Sequence, residues 1–240
     1  MTACIDGPVI RILNDDGSMA ELPLDVVGVA ELSAARPIRS LSWYPGQRSF
    51  PGWYWSLTMR AHVPYDSRLE LARLLLADFD PAVETIVAQP FQIAWPHQGE
   101  LRRQIPDFVL IHTDQIVTVV NVKTEEALKK AKVRETFAWV TELLAAQGWR
   151  HEVWSGVDPA LLSNVRFLAG FRREHYPTDL LDLVEHTAPG GTFLATEVAI
   201  SPRWDRREVR SAILHLLWTH TLCADLSEPL SSETVLEKAR

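Results

Sequence analysis

Two short apolar runs, FVLI at 108–111 and IVTVV at 116–120, stand either side of His112-Thr113-Asp114 and constrain this chain more than any other feature. Apolar, β-branched runs with little alternation read as strands of a sheet covered on both faces, and the short turn between them predicts a hairpin. The first run is headed by Pro106-Asp107; the second ends in Asn121-Val122-Lys123 and passes into the helix-forming stretch TEEALKK. In a hairpin, Asp107 and the 121–123 triplet arrive at the same end of the sheet. Period-two alternation then points Asn121 and Lys123 to one face and Val122 to the other.

The flanking segments extend this pair into a mixed α/β domain. SRLELARLLLADFD, from Ser67, has helical periodicity with Leu69, Ala72, Leu75 and Leu76 on one side, and IVAQPFQIAW at 86–95 reads as one strand with Pro90 at an edge or bulge. After the hairpin, residues 125–148 predict one long helix closed by Gly148, then a strand HEVWSGV. The order helix, three strands, helix, strand is not that of a serial βαβ sheet. Upstream, PVIRILNDDGSMAELPL predicts a β-hairpin about an Asn-Asp-Asp-Gly turn, and the aromatic, Gly- and Pro-rich stretch after it reads as short strands and turns covering a core. Downstream, three helices precede two short strands, LCADL and TVLEKA, an order that suggests a winged helix. The expected division is an N-terminal extension over 1–60, a core over 61–158 and a helical, winged-helix-like domain over 159–240.

Composition narrows the class. At 240 residues, 47% of them hydrophobic and 23% charged, the chain can bury a sizeable core. No apolar run approaches the about 20 residues needed to cross a bilayer, and the N-terminal sequence lacks the pattern of a signal peptide, so a cytoplasmic protein with no membrane partner is expected. Cys4 and Cys223 cannot complete a zinc site by themselves and read as buried small hydrophobes. A net charge of −7 excludes a generally basic nucleic-acid coat. Positive charge is nevertheless clustered: four of the five lysines fall between 123 and 132, and Arg203, Arg206, Arg207 and Arg210 lie near the C-terminus.

The chemistry-bearing residues converge on the hairpin's end. Glu70, on the first turn of the 67–80 helix, can be aimed at Asp107 if that helix packs on the sheet. Two carboxylates and the Val122 carbonyl suit a hard divalent cation such as Mg²⁺ or Mn²⁺, with Lys123 polarising water or phosphate. Each residue also has a plainer reading. Ser67 and Glu70 form S-x-x-E, a capping box; Asp107 is a turn acid; Lys123 snorkels from a strand end. Singly the plain readings suffice, but jointly the pattern favours a site. Arg102 and Arg103, just ahead of Asp107, read as phosphate contacts. Lys129, Lys130, Lys132 and Arg134 read equally as phosphate contacts or as a solvated helix face. His97 and His112 are more ordinary as surface residues near turns.

This acid, Pro-Asp, x-x-Lys arrangement resembles the PD-(D/E)xK nuclease superfamily, with its restriction-endonuclease-like αβββαβ core. The segments PGWYWSLTMRAHVPYDSRLELARLLLADFDPAVETIVAQPFQIAWP, PDF, NVK, AAQGWRHEVW and NVRFLAGFR are similar to TnsA-like heteromeric transposase endonuclease subunits over about residues 40 to 235. The resemblance implies that Glu70, Asp107 and Lys123 are catalytic, that Asn121 takes the middle motif position, often Glu and in some members Gln, and that Gln89 belongs to a recurrent, mainly structural Gln-Pro. It implies cleavage of double-stranded DNA at transposon ends beside a DDE-type transposase subunit and an AAA+ ATPase regulator. Its C-terminal module, with Arg206, Arg207 and Arg210, would contact DNA or protein. Asn121 departs from an acid: an amide oxygen ligates a cation but brings no charge, which favours a single-ion site. It also leaves open a catalytically degenerate nuclease-fold DNA-binding or assembly protein, and a stand-alone repair or defence nuclease shares the same site.

Overall fold

The structure, a computed structural model, describes residues 8–39, 46–47, 49–97, 100–173 and 175–239. Cys4, residues 40–45 and 48 of the aromatic-rich stretch, and the side chain of His97 lie outside the described residues. The chain is mixed α/β and divides into two compact units, residues 1–78 with 82–156, and 79–81 with 157–240.

Unit one begins with β1 (Val9–Leu13) and β2 (Met19–Pro23), an antiparallel hairpin whose turn is closed by Gly17 at φ 80°. A short helix α1 (Val29–Ser33) follows, capped through Glu31, which accepts from the Gly28 N–H at 2.9 Å. Next come a second hairpin, β3 (Gly52–Ser56) with β4 (Ala61–Tyr65), and helix α2 (Arg68–Phe79). The remaining elements are β5 (Val83–Ala88), β6 (Phe91–His97), β7 (Glu100–Gln104), β8 (Phe108–His112), β9 (Val117–Val122), α3 (Glu125–Leu128), α4 (Ala131–Ala146) and β10 (Arg150–Trp154).

Two four-stranded sheets organise this unit. One has the order β10-β9-β8-β5, with β9 and β10 parallel and the other pairs antiparallel; the other, β2-β1-β6-β7, is antiparallel throughout. The expected single strand over 86–95 is therefore two strands in different sheets. Gln89, at φ 44° before Pro90, turns the chain out of one sheet and into the other, and Pro90 removes the N–H that would continue the ladder. The edge strand β7 has no counterpart in the sequence reading, because ELRRQ carries little apolar signal. The long helix expected over 125–148 is broken at Lys129-Lys130: Thr124 caps α3, and Lys130 starts α4 in an extended conformation.

All six residues of β9 are buried, as its unalternating sequence requires. Val109, Ile111, Val117 and Val119 share a core with Val140 and Leu144 of α4 and with Ile10, Ile12, Phe91 and Ile93 of the second sheet. Trp95 stacks on Trp139 of α4 with ring centroids 3.7 Å apart. Helix α2 buries Glu70, Ala72, Leu74, Leu75, Ala77 and Asp78, a wider surface than the single stripe its leucines suggest. Part of the reason is Asp78, whose carboxylate accepts from Tyr54 Oη at 2.7 Å, Ser56 Oγ at 2.5 Å, and the backbone N–H groups of Leu57 and Thr58 at 3.1 and 2.9 Å. The β3–β4 turn is thereby fastened to the end of α2.

Unit two contains α5 (Pro159–Leu168), α6 (Thr178–Thr187), α7 (Phe193–Ile200), α8 (Arg206–Trp218), and the strands β11 (Leu222–Cys223) and β12 (Glu237–Lys238). Leu180, Val184, Phe193, Ile200, Val209, Ile213 and Leu217 are buried on its packed helices. Asn164 staples the loop before β12: Nδ2 donates to the carbonyls of Leu226 and Glu228, and Oδ1 accepts from the Leu230 N–H. The two expected C-terminal strands shrink to two residues each, and Cys223 is half-buried rather than buried. Among the described residues no helix is long and apolar enough to cross a membrane.

Candidate functional site

The β8–β9 register carries the sequence expectation into three dimensions. Phe108 pairs with Val120, and the Asp107 N–H donates to the Val120 carbonyl at 2.9 Å, so Asp107 continues the ladder opposite Asn121. The Val122 N–H, one residue beyond, donates to Asp107 Oδ2 at 2.6 Å. Lys123 Nζ lies 3.9 Å from the same oxygen and donates to the Val122 carbonyl at 3.0 Å. The Lys123 ammonium thus lies against two of the oxygens proposed as metal ligands.

Glu70 sits at the N-terminal turn of α2, 8% exposed. The capping reading of Ser67-x-x-Glu70 is present in the structure: the Glu70 N–H donates to Ser67 Oγ at 3.2 Å, Ser67 Oγ donates to Glu70 Oε1 at 2.9 Å, and Glu70 Oε2 accepts from the Asp66 N–H at 2.7 Å. Capping and site membership are compatible here, because burial, followed by the negative charge of Asp107, raises the Glu70 carboxyl to about 7 against the pull of these donors. Asp107 is raised too, chiefly by burial; Lys123, the Val122 N–H, the Asn121 amide and Arg39 oppose the shift. The negative charge of Asp107 thus adds to the burial that holds the Glu70 carboxyl up.

Gln89 links the parts. Its strained backbone places its N–H on the Asp107 carbonyl at 3.0 Å, and its side-chain Nε2 donates to Asp66 Oδ2 at 2.7 Å, next to the Glu70 cap. Arg73 adds a bidentate pair to Glu152, both contacts 2.8 Å, tying α2 to β10.

Asn121 is fully buried, and its Oδ1 lies 3.1 Å from His151 Nε2 on the neighbouring strand. The other ring nitrogen of His151 is 2.8 Å from Thr141 Oγ1, which in turn donates to the Phe137 carbonyl at 2.8 Å. Burial pushes the His151 imidazole down to about 4, so the ring is neutral. The Asn121 Nδ2 faces Asp107 closely enough to lower its carboxyl, yet makes no hydrogen bond of ordinary geometry.

Four residues of this neighbourhood escape sequence reasoning. Asp66, His151 and Thr141 act through neighbours distant in sequence, and Arg39 lies in an irregular segment. Nothing in RHEVW marks the second of these, since the strand carries Arg150 and Glu152 beside it and is only partly buried.

The remaining predicted site residues lie elsewhere. Arg102 and Arg103 stand on the edge strand β7 of the other sheet, opposite Trp95 and Ala94. Lys129, Lys130 and Lys132 are exposed around the α3–α4 break, where Arg134 donates to the Leu128 and Lys129 carbonyls. In unit two, Arg206 and Arg210 pair with Glu197, at 3.3 and 2.5 Å, and the Glu197 side chain is only 3% exposed. Arg207 stands apart from that pairing, beside Tyr176 and Glu208. His112, bonded to Thr118 Oγ1 at 3.0 Å, lies at the end of β8 opposite Asp107 and so outside the cluster.

Among the described residues no group of three or more His, Cys, Asp or Glu side chains converges on a point. The candidate donors are the Asp107 carboxylate, the Asn121 amide and the Val122 carbonyl at the strand ends and the Glu70 carboxylate on α2, hard oxygen-bearing groups of the type Mg²⁺ and Mn²⁺ accept. No protein-family model matches the chain, and no curated protein matches it.

Proposed function

We propose that the chain is a metal-dependent DNA endonuclease subunit hydrolysing a phosphodiester at a transposon end, with unit one a restriction-endonuclease-like αβββαβ core and unit two a winged-helix-like module. The observation that carries the reading is the meeting of Asp107, Asn121 and Lys123 at one end of the β8–β9 pair, with the charge of Asp107 reaching Glu70. A structural ion pair would match charges; here three acids, Asp66, Glu70 and Asp107, outnumber Lys123 and Arg39, an arrangement that favours recruitment of a cation.

Glu70, Asp107, the Asn121 amide and the Val122 carbonyl would hold Mg²⁺ or Mn²⁺. When bound, the ion supplies Lewis acidity and lowers the pKa of the attacking water. The chain's own residues do the rest. The Val122 N–H fixes the Asp107 carboxylate, Glu70 releases its proton near neutrality, and Lys123, displaced from the Val122 carbonyl, turns its ammonium to the phosphate charge that builds during attack. Arg39, exposed and within electrostatic reach of Asp107, and the lysines after β9 supply phosphate contacts. Double-stranded DNA is the substrate, and a DDE-type transposase subunit and an AAA+ ATPase are the proposed partners.

The test is cleavage of end-labelled transposon-end duplex by the full chain with Mg²⁺ or Mn²⁺, alone and with the partner subunits. Metal-dependent cutting by the wild type that is lost in Lys123→Ala is the expected result. Equal cutting by that variant would overturn the assignment. DNA binding without cutting under every condition would favour the degenerate reading that Asn121 leaves open.

A further inference from the structure

The bonding around His151 admits two proton arrangements, and one of them turns the Asn121 amide, whose buried Nδ2 has no hydrogen-bond partner. A hydroxyl has one hydrogen, so when Thr141 Oγ1 donates to the Phe137 carbonyl it accepts from His151 Nδ1. His151 is then the Nδ1–H tautomer, and its bare Nε2 faces Asn121 Oδ1, acceptor against acceptor at 3.1 Å. On the other side of the same amide, the buried Nδ2 is left without a well-formed bond. The two ends of an asparagine amide have nearly equal size, so a half-turn about χ2 fits the same space. After that turn Nδ2 donates to His151 Nε2, and Oδ1 faces Asp107.

We propose that His151 is a positioning residue whose Nδ1–H tautomer, set by Thr141 and the Phe137 carbonyl, turns the Asn121 amide oxygen toward the carboxylates and makes it a cation ligand. The proposal rests on the metal-dependent reading above. It explains how an uncharged residue serves at the middle motif position: the charge of an acid is absent, but the orientation of the oxygen is enforced from behind. An oxygen facing Asp107 is unfavourable unless a cation lies between them, so the arrangement is completed by the ion. Neighbours that orient a ligand from outside typically change metal affinity by about 10- to 100-fold when removed.

Two measurements on the full chain test this. Long-range ¹H–¹⁵N correlation of the His151 ring in the presence of Mg²⁺ should show Nδ1 protonated and Nε2 bare; the Nε2–H tautomer in the loaded protein overturns the proposal. Mn²⁺ affinity by electron paramagnetic resonance is then compared among the wild type, Asp107→Ala, His151→Phe and His151→Gln. Asp107→Ala should abolish binding, His151→Phe should weaken it about tenfold or more, and His151→Gln, whose amide oxygen can accept the same Asn121 bond, should restore most of it. Unchanged affinity in His151→Phe overturns the role of His151 alone, with the metal site intact. Absence of Mn²⁺ binding in the wild type, or binding indifferent to Asp107→Ala, overturns the metal site itself and this inference with it.

Discussion

The backbone N–H of Val122 donates to the Asp107 carboxylate at 2.6 Å, so the acid of one strand is held by the main chain of the next. A side chain anchored in this way has lost its freedom before any ligand arrives, and its orientation survives changes in nearby side chains. Lys123 is not bound so tightly: its ammonium lies 3.9 Å from Asp107 Oδ2, and its side chain is 38% exposed.

Lys123→Ala should therefore cost little stability, less than about 1 kcal/mol by urea unfolding, since pairs this exposed contribute little. Cleavage should fall by at least about 100-fold, the scale of losing one charge-stabilising group. A large drop in unfolding midpoint would place Lys123 in the scaffold instead.

Glu70 predicts a pH dependence with a definite sign. Its carboxyl is raised to about 7 in the folded protein from an ordinary value of 4.5, so between these values the folded state holds a proton that the unfolded state has lost. Stability should be greatest below 4.5 as far as this group is concerned, decline as pH rises toward 7, and level off above it, a change on the order of 3 kcal/mol. Glu70→Gln should flatten much of that slope, leaving the smaller contribution of Asp107. Divalent-ion affinity should rise through the same window, because the ion requires the carboxylate. Urea unfolding of both proteins at a series of pH values, with Mn²⁺ titrations alongside, measures the two effects.

How much of this was legible from the sequence varies with the physics that built each part. The β8 and β9 strands and the convergence of Asp107 with the Asn121–Lys123 triplet follow from apolar runs and a short turn, local signals that tertiary context had no cause to override. The turn at Gln89 was read as continuous strand because the left-handed backbone it needs is unusual for Gln, and its reward, bonds to Asp107 and Asp66, is non-local. The break in the helix after β9 was hidden for a different reason: Lys129 and Lys130 are ordinary helix residues, and nothing in their propensity announces an extended N-cap. His151 does not stand out between Arg150 and Glu152, because its significance depends on which atoms of Asn121 and Thr141 it meets.

Asp78→Ala should be among the most damaging single substitutions in unit one. It strands four donors, two of them backbone N–H groups of the β3–β4 turn, and a loss of about 3 kcal/mol or more is expected. Hydrogen exchange should show the Leu57 and Thr58 amides losing protection first. Equal protection in wild type and variant would mean that the turn is held by something other than this carboxylate.

The arginines of α8 should separate by role. Arg210→Ala leaves the buried Glu197 carboxylate short of a partner and should lower stability by about 3 kcal/mol. Arg207→Ala should leave the unfolding midpoint almost unchanged. If unit two touches DNA, it should instead reduce the slope of log affinity against log salt by about 1. Fluorescence anisotropy across a salt series, with thermal unfolding of the same samples, distinguishes the two behaviours.

The excursion that starts at Gln89 has a mechanical consequence. The chain leaves β5, runs through β6 and β7 in the other sheet, and returns as β8 to lie beside β5 again. Each sheet is therefore sewn to the other by the same thread, and β1 docks on β6 only after that thread has crossed over. A protease nick between Gln89 and Asp107 would not trim a loop. It would cut the seam common to both sheets, and they should come apart in one cooperative step rather than one at a time.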